Sequence, residues 1–211
     1  MTQYDAYLPI GGDCTPAHYL KAHGLRTEAY PLDWMIFNAY SLIHLFRTGF
    51  SDFFSSIVEE KSIEGNRCRH IRDTTNDILS MHHFPKEQGI SETLEEFHNK
   101  MRRRYLRLHS RLMNSASLLM LGYRQATEEQ VKDTLLEFTD LYHHLSIHLI
   151  NVSNTPEMDS SELRRKRHDL NDHLTATCCY FNDSYDTCHQ KKFGLWGNEA
   201  LWARLLEDDC S

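Results

Sequence analysis

The sequence predicts an α/β fold, a single domain with a mostly parallel central sheet and helices on both faces, and three observations carry that prediction. Apolar runs of strand length alternate with amphipathic helical stretches, most clearly over "ASLLMLGY", Thr127 to Tyr142 and "LSIHLINV", which is the βαβ pattern of a parallel sheet. The 211 residues contain no Pro/Gly/Ser-rich linker, so one domain over 1–211 is expected. A hydrophobic fraction of 40%, with 3 Trp, 10 Tyr and 10 Phe, can build a core without disulfide staples.

Tyr4 to Ile10 reads as a short buried strand. Gly11 and Gly12 then supply a turn, and Thr15-Pro16 opens a helix that Gly24 ends, which places Cys14 at a helix N-terminus. Asp33 is suited to cap a second helix carrying Trp34, Phe37, Leu42, Leu45 and Phe46, and Ser51 to cap another through "DFFSSIVEE". The polar stretch "EEKSIEGNRCRHIRDTTN" has no sustained period and is expected to be loop with at most a short element. "DILSMHHF" is strand-like up to Pro85 and sets His82 and His83 near a strand end.

A long helix begins near a capping-box-like Ser91 to Glu95, with Leu94, Phe97, Met101, Leu108 and Leu112 at helical spacing. The βαβ unit follows, with Val131, Leu135 and Phe138 on one helix face. "SSELRRKRHD" reads as a solvated loop or helix face, and "TATCCYF" with the amphipathic "NEALWARLLEDD" continues the alternation.

Charge and cysteine use exclude several functions. A net charge of -7 argues against nucleic acid as a partner. The arginines of "RRRYLRLHSR" fall in the C-terminal half of a helix that opens with Glu92, Glu95 and Glu96, where they complement the helix dipole. No run approaches the roughly 18 apolar residues of a membrane span, and "MTQYDAYLPI" lacks the marks of a signal peptide. No membrane partner and a cytoplasmic location are therefore expected, signal-less secretion being the other route. The six cysteines contain no C-x-x-C pair, and Cys178-Cys179 and Cys188-His189 lack zinc-site spacing, so neither metal nor disulfide framework is expected. Leu20 stands where a C-x5-R phosphate loop needs arginine, and no G-x-G-x-x-G loop follows a strand, so no cofactor is expected.

A thiol in the first turn of a helix meets the positive end of the dipole and unpaired N–H groups, which favour thiolate. Cys14 is therefore the candidate nucleophile, and the turn Gly11-Gly12-Asp13 can bring backbone N–H donors to an oxyanion. A buried, inert thiol is the plain alternative. Among fourteen histidines, "MHHFP" presents His82 and His83 at a rigid strand end, whereas His98 and His109 lie on a helix and His143, His144 and His148 surround a helix-to-strand junction.

"YLPIGGDCTPAHYLKAHGLRTEAYPLDWMIF" resembles the N-terminal signature of a bacterial family described as "putative papain-like cysteine peptidases": a strand and glycine before a cysteine, an A-x-x-L helix, then P-F-D-W. "MHHFP" is similar to the family's H-D-F motif, and "RRRYLRL", "SLLMLGY" and "LWGNEALW" fall in its usual order, so the resemblance spans nearly the whole chain. It implies Cys14 as nucleophile, His82 as the histidine, His83 in the position of the family's Asp, and Asp33 as the acid of the aspartate-tryptophan pair. Leu32 replaces the usual phenylalanine, and with an acid missing at 83 either His82 or His83 can serve as base. The implied function is a cysteine peptidase, or a related thiol-dependent hydrolase or acyl transferase, acting on a peptide or protein. The other class is a non-catalytic binding or accessory protein, glycan- or protein-related, in which Cys14 is structural.

Overall fold

The computed structural model describes residues 4–62 and 65–210. Its central sheet begins with β1 (Ala6–Gly11), which pairs in parallel with β6 (Ser117–Tyr123), then β7 (Ser146–Asn154) and β9 (Leu174–Phe181), and ends with β8 (Arg164–Asn171) antiparallel to β9. Alternation along each strand sends side chains to two cores. Leu8, Ile10, Leu118, Met120 and Leu149 meet α2 (Ala39–Thr48), α3 (Ile90–Met113) and α4 (Glu128–Thr139) on one face. Tyr7, Leu119, Leu121, Ile150 and Phe181 meet α1 (Thr15–Ala22) and α5 (Glu199–Cys210) on the other. The mostly parallel sheet with helices on both faces is thus what the sequence predicts.

Departures from expectation concentrate between residues 30 and 90. Asp33 caps no helix: it is 1% exposed and paired with Arg26, and the N-cap of α2 is Asn38, whose side chain accepts the Ser41 N–H. The chain first turns at Trp34, which holds φ 66°, and forms the two-residue strand β2 (Met35–Ile36). Ser51 starts turns rather than a helix, and "IVEE" is β3 (Ile57–Glu60). The expected loop contains β4 (Cys68–Asp73); Ile63 and Glu64 of that stretch lie outside the described residues. With β5 (Ile78–Pro85) these strands form a second, antiparallel sheet ordered β2-β5-β4-β3. Its Phe84 packs with Phe54 against Phe97 of α3, tying both sheets into one apolar cluster.

α3 starts one residue before Ser91, with Gly89 at the N-cap and no side-chain cap, so the capping box expected there is absent. A true capping box closes α4, where Thr127 and Gln130 bond reciprocally. "RRKRHD" is the exposed edge strand β8. Its successive residues reach opposite layers: Arg165 pairs with Asp208 of α5, Lys166 and His168 with Glu128 of α4. Such a charged edge resists further strand pairing. No helix among the described residues is long and apolar enough to cross a membrane.

Candidate active site

The C-terminal ends of the parallel strands converge on one rim, the usual ligand side of open α/β sheets. There β1 ends at Gly11, whose φ of 121° and close approach to the Tyr123 carbonyl leave no room for a Cβ. The Gly12 N–H donates to the Tyr123 oxygen at 2.9 Å, and Asp13 Oδ1 accepts the Thr15 N–H at 2.8 Å. This turn delivers Cys14 as the N-cap residue of α1, half-buried and outside any disulfide.

The expectation that the helix start lowers the Cys14 pKa is not met. Burial is the largest influence and raises it, the adjacent Asp13 charge raises it further, and the opposing effect of its own backbone N–H is smaller. Asp13 is itself pushed up by burial. Asp183, after the end of β9, is pushed up for the same reason, and it accepts from the Asn198 N–H at 2.6 Å and the Trp202 indole at 3.1 Å. A Cβ on Gly197 would lie 2.2 Å from its Oδ1, so glycine is required there. The rim is therefore acidic and partly desolvated around the thiol.

His82 and His83 point to opposite sides of β5. His82 is exposed, and burial of part of its ring lowers its pKa. It lies edge-on to Trp34 at 6.5 Å between ring centroids; Trp34 lies 6.2 Å from Trp196, and Trp196 stacks on His18 at 3.8 Å. His18 is four residues after Cys14, on the same face of α1. An aromatic wall therefore runs from His82 to the helix that carries the thiol. His83 turns inward against Phe97, with Nδ1 2.9 Å from Ser80 Oγ, and lines a different recess with Thr93, Lys100 and Arg103. Burial, with Lys100 and Arg104 behind it, pushes its pKa down to about 3.

Asp33 Oδ2 accepts from Arg26 and from the Tyr30 N–H, while Oδ1 is buried without a hydrogen-bond partner. Arg26 also donates to the Ala17 carbonyl of α1. Asp33 thus ties the turn bearing Trp34 to the helix bearing Cys14. Among the described residues no hydrogen bond joins Cys14 to a histidine or Asp33 to one. None forms a His/Cys/Asp/Glu group able to hold a metal ion.

The family model described as "Putative papain-like cysteine peptidase" matches residues 5–155, from β1 through β7. The chain belongs to this family. The match contains Cys14, Asp33, His82 and His83, and leaves out β8, β9 and α5. The chain has no match among curated proteins and none among solved structures.

Sequence reading missed His18, Trp196, Tyr123 and Asp183. The i, i+4 spacing of Cys14 and His18 was a usable signal, as was an acid directly after the apolar run "TATCCYFND". Trp196 stands in the "LWGNEALW" stretch that carries the resemblance, but its place against α1 is set by the fold of the loop before α5.

Proposed function

We propose that the protein is a thiol-dependent hydrolase of the peptidase type, with Cys14 as nucleophile and His82 as its base. The observation that carries the reading is the delivery of a half-buried thiol to the strand-end rim of a chain that belongs to the papain-like cysteine peptidase family. Cys14 Sγ attacks the substrate carbonyl as its proton passes to His82, whose depressed pKa keeps the imidazole in its basic form at neutral pH. The oxyanion is received by N–H groups of the Asp13-Cys14 turn, since that of Gly12 is engaged with the Tyr123 carbonyl. The C–N bond then breaks, His82 returns the proton to the departing amine, and water or an acceptor amine resolves the thioester.

Asp33 acts as a positioning residue through Arg26 and Trp34, and His83 holds β5 against α3. Trp34 and Trp196 form the wall along which the peptide runs. The accessory-protein reading has two features on its side: burial and Asp13 raise the Cys14 pKa, and among the described residues no hydrogen bond joins Cys14 to a histidine.

A peptidyl acyloxymethyl ketone, read by intact-protein and peptide mass spectrometry, separates the two. A Cys14 adduct is expected, lost in Cys14→Ser and His82→Ala and retained in His83→Ala. An adduct on the exposed Cys188 with none on Cys14 would favour the accessory protein. Loss in His18→Ala with retention in His82→Ala would move the base to α1.

A further inference from the structure

On the side of β5 away from His82, a recess of about 440 Å³ opens between the end of that strand and the first half of α3. Pro85 and Phe97 give it an apolar wall, and His83, Lys100 and Arg103 line the rest with donors. The His83 ring is neutral, its pKa held down to about 3. A neutral imidazole carries one N–H, and the 2.9 Å hydrogen bond between Nδ1 and Ser80 Oγ decides which nitrogen has it. Ser80 is fully buried, and among the described residues its hydroxyl has no other partner. The O–H therefore donates to Nδ1, because the opposite arrangement leaves a buried O–H without an acceptor. Nε2 then bears the proton. Among the described residues this N–H has no acceptor, yet it is not shielded from solvent, so the accessible edge of the ring presents a donor to the recess.

Lys100 and Arg103 lie one turn apart on the facing side of α3, and among the described residues neither makes an ion pair or a hydrogen bond. Burial, then Arg104 and Arg103, lower the Lys100 pKa, with no carboxylate acting against them. Arg104, bonded to the Tyr30 carbonyl, adds a fixed charge that acts on both Lys100 and His83. Like charges at such spacing on a helix repel. Glu96 also lines the recess, one turn before Lys100, but among the described residues it pairs with neither cation and has no resolved effect on His83.

An imidazole N–H from β5 thus converges with an ammonium and a guanidinium from α3, three donors from different directions with positive charge in excess. A tetrahedral dianion can offer an oxygen to each of them, which a planar carboxylate cannot. The recess has the size of a small-ligand pocket, more than an inorganic ion fills, and Pro85 and Phe97 offer contact to an organic substituent. We propose that the recess between β5 and α3 binds a phosphate monoester, its phosphoryl oxygens held by His83 Nε2, Lys100 and Arg103. The site lies across β5 from His82 and stands whether or not Cys14 is a peptidase nucleophile.

Long-range ¹H–¹⁵N spectra of the histidine rings in the wild-type protein test it, with titrations of phenyl phosphate, inorganic phosphate and benzoate at neutral pH and constant ionic strength. The Nε2–H tautomer of His83 is expected in the free protein, with a saturable shift of its ring nitrogens on phenyl phosphate, weaker binding of inorganic phosphate and little response to benzoate. Lys100→Met and Arg103→Met should each weaken phenyl phosphate binding about tenfold, and Arg164→Met on β8 should leave it unchanged. Both α3 side chains are exposed, so neither substitution opens the core. An Nδ1–H tautomer, no response of His83, a response to benzoate as strong as to phenyl phosphate, or unchanged affinity in both α3 variants would overturn the site. Equal affinity for inorganic phosphate would overturn the ester in favour of the free ion.

Discussion

At the scale of the residue, the thiol and its neighbour Asp13 decide the chemistry. Helix-start polarity was legible in the sequence, but burial and an adjacent carboxylate, which outweigh it, depend on how the Gly11-Gly12 turn folds against Tyr123. Asp13→Asn removes one of the two raising influences, so Cys14 alkylation by iodoacetamide at pH 7.5 should accelerate about two- to fivefold. The measurement belongs in a Cys188→Ser background, since Cys188 is exposed and competes for the reagent. An unchanged rate would mean that Asp13 does not govern the thiol. Cys14→Ala removes only a half-buried sulfur, and its expected cost is under about 1 kcal/mol by urea unfolding, while peptidyl adduct formation disappears.

At the scale of the element, the parallel unit was readable because its strands are largely apolar and α4 carries a complete cap. Thr127→Ala should cost about 1 kcal/mol, measured by chemical denaturation, through loss of the capping box. The antiparallel sheet was not readable: β3 and β4 are short, charged and half-exposed, and they exist because β5 offers an edge and Phe54 and Phe84 offer a floor. The expected helix at Asp33 failed for a related reason, since Asp33 found a buried guanidinium instead of helix amides. That choice sets Trp34 in the left-handed region, which a bulky side chain rarely adopts. Trp34→Gly should therefore be less destabilising than Trp34→Ala, by about 1 kcal/mol, although glycine removes more of the side chain. The reverse order in urea would show that the φ of 66° carries no strain.

At the scale of the whole molecule, two histidines held neutral on opposite sides of the fold set its response to acid. His148 is 6% exposed in β7, with Nδ1 2.9 Å from the Tyr4 hydroxyl and Nε2 2.8 Å from Thr177 Oγ1. Burial, with Arg167 nearby, pushes its pKa down to about 4, as burial pushes His83 down to about 3. An imidazole in the unfolded chain titrates near about 6.5. Between that value and the folded one the unfolded chain binds more protons, so stability is complete above about pH 6.5 and falls as the pH drops toward 4. For His148 alone the expected loss from pH 7 to 5 is about 2 kcal/mol. Asp33 and Asp183, whose pKa values burial raises, act in the opposite sense in the acid range, where their protonated forms favour the fold. Urea unfolding of wild type and His148→Asn at pH 7 and pH 5 checks the assignment. The variant is expected to start less stable, having lost a buried ring, but to lose about 2 kcal/mol less over the interval. Equal losses in the two proteins would show that His148 does not carry the acid sensitivity.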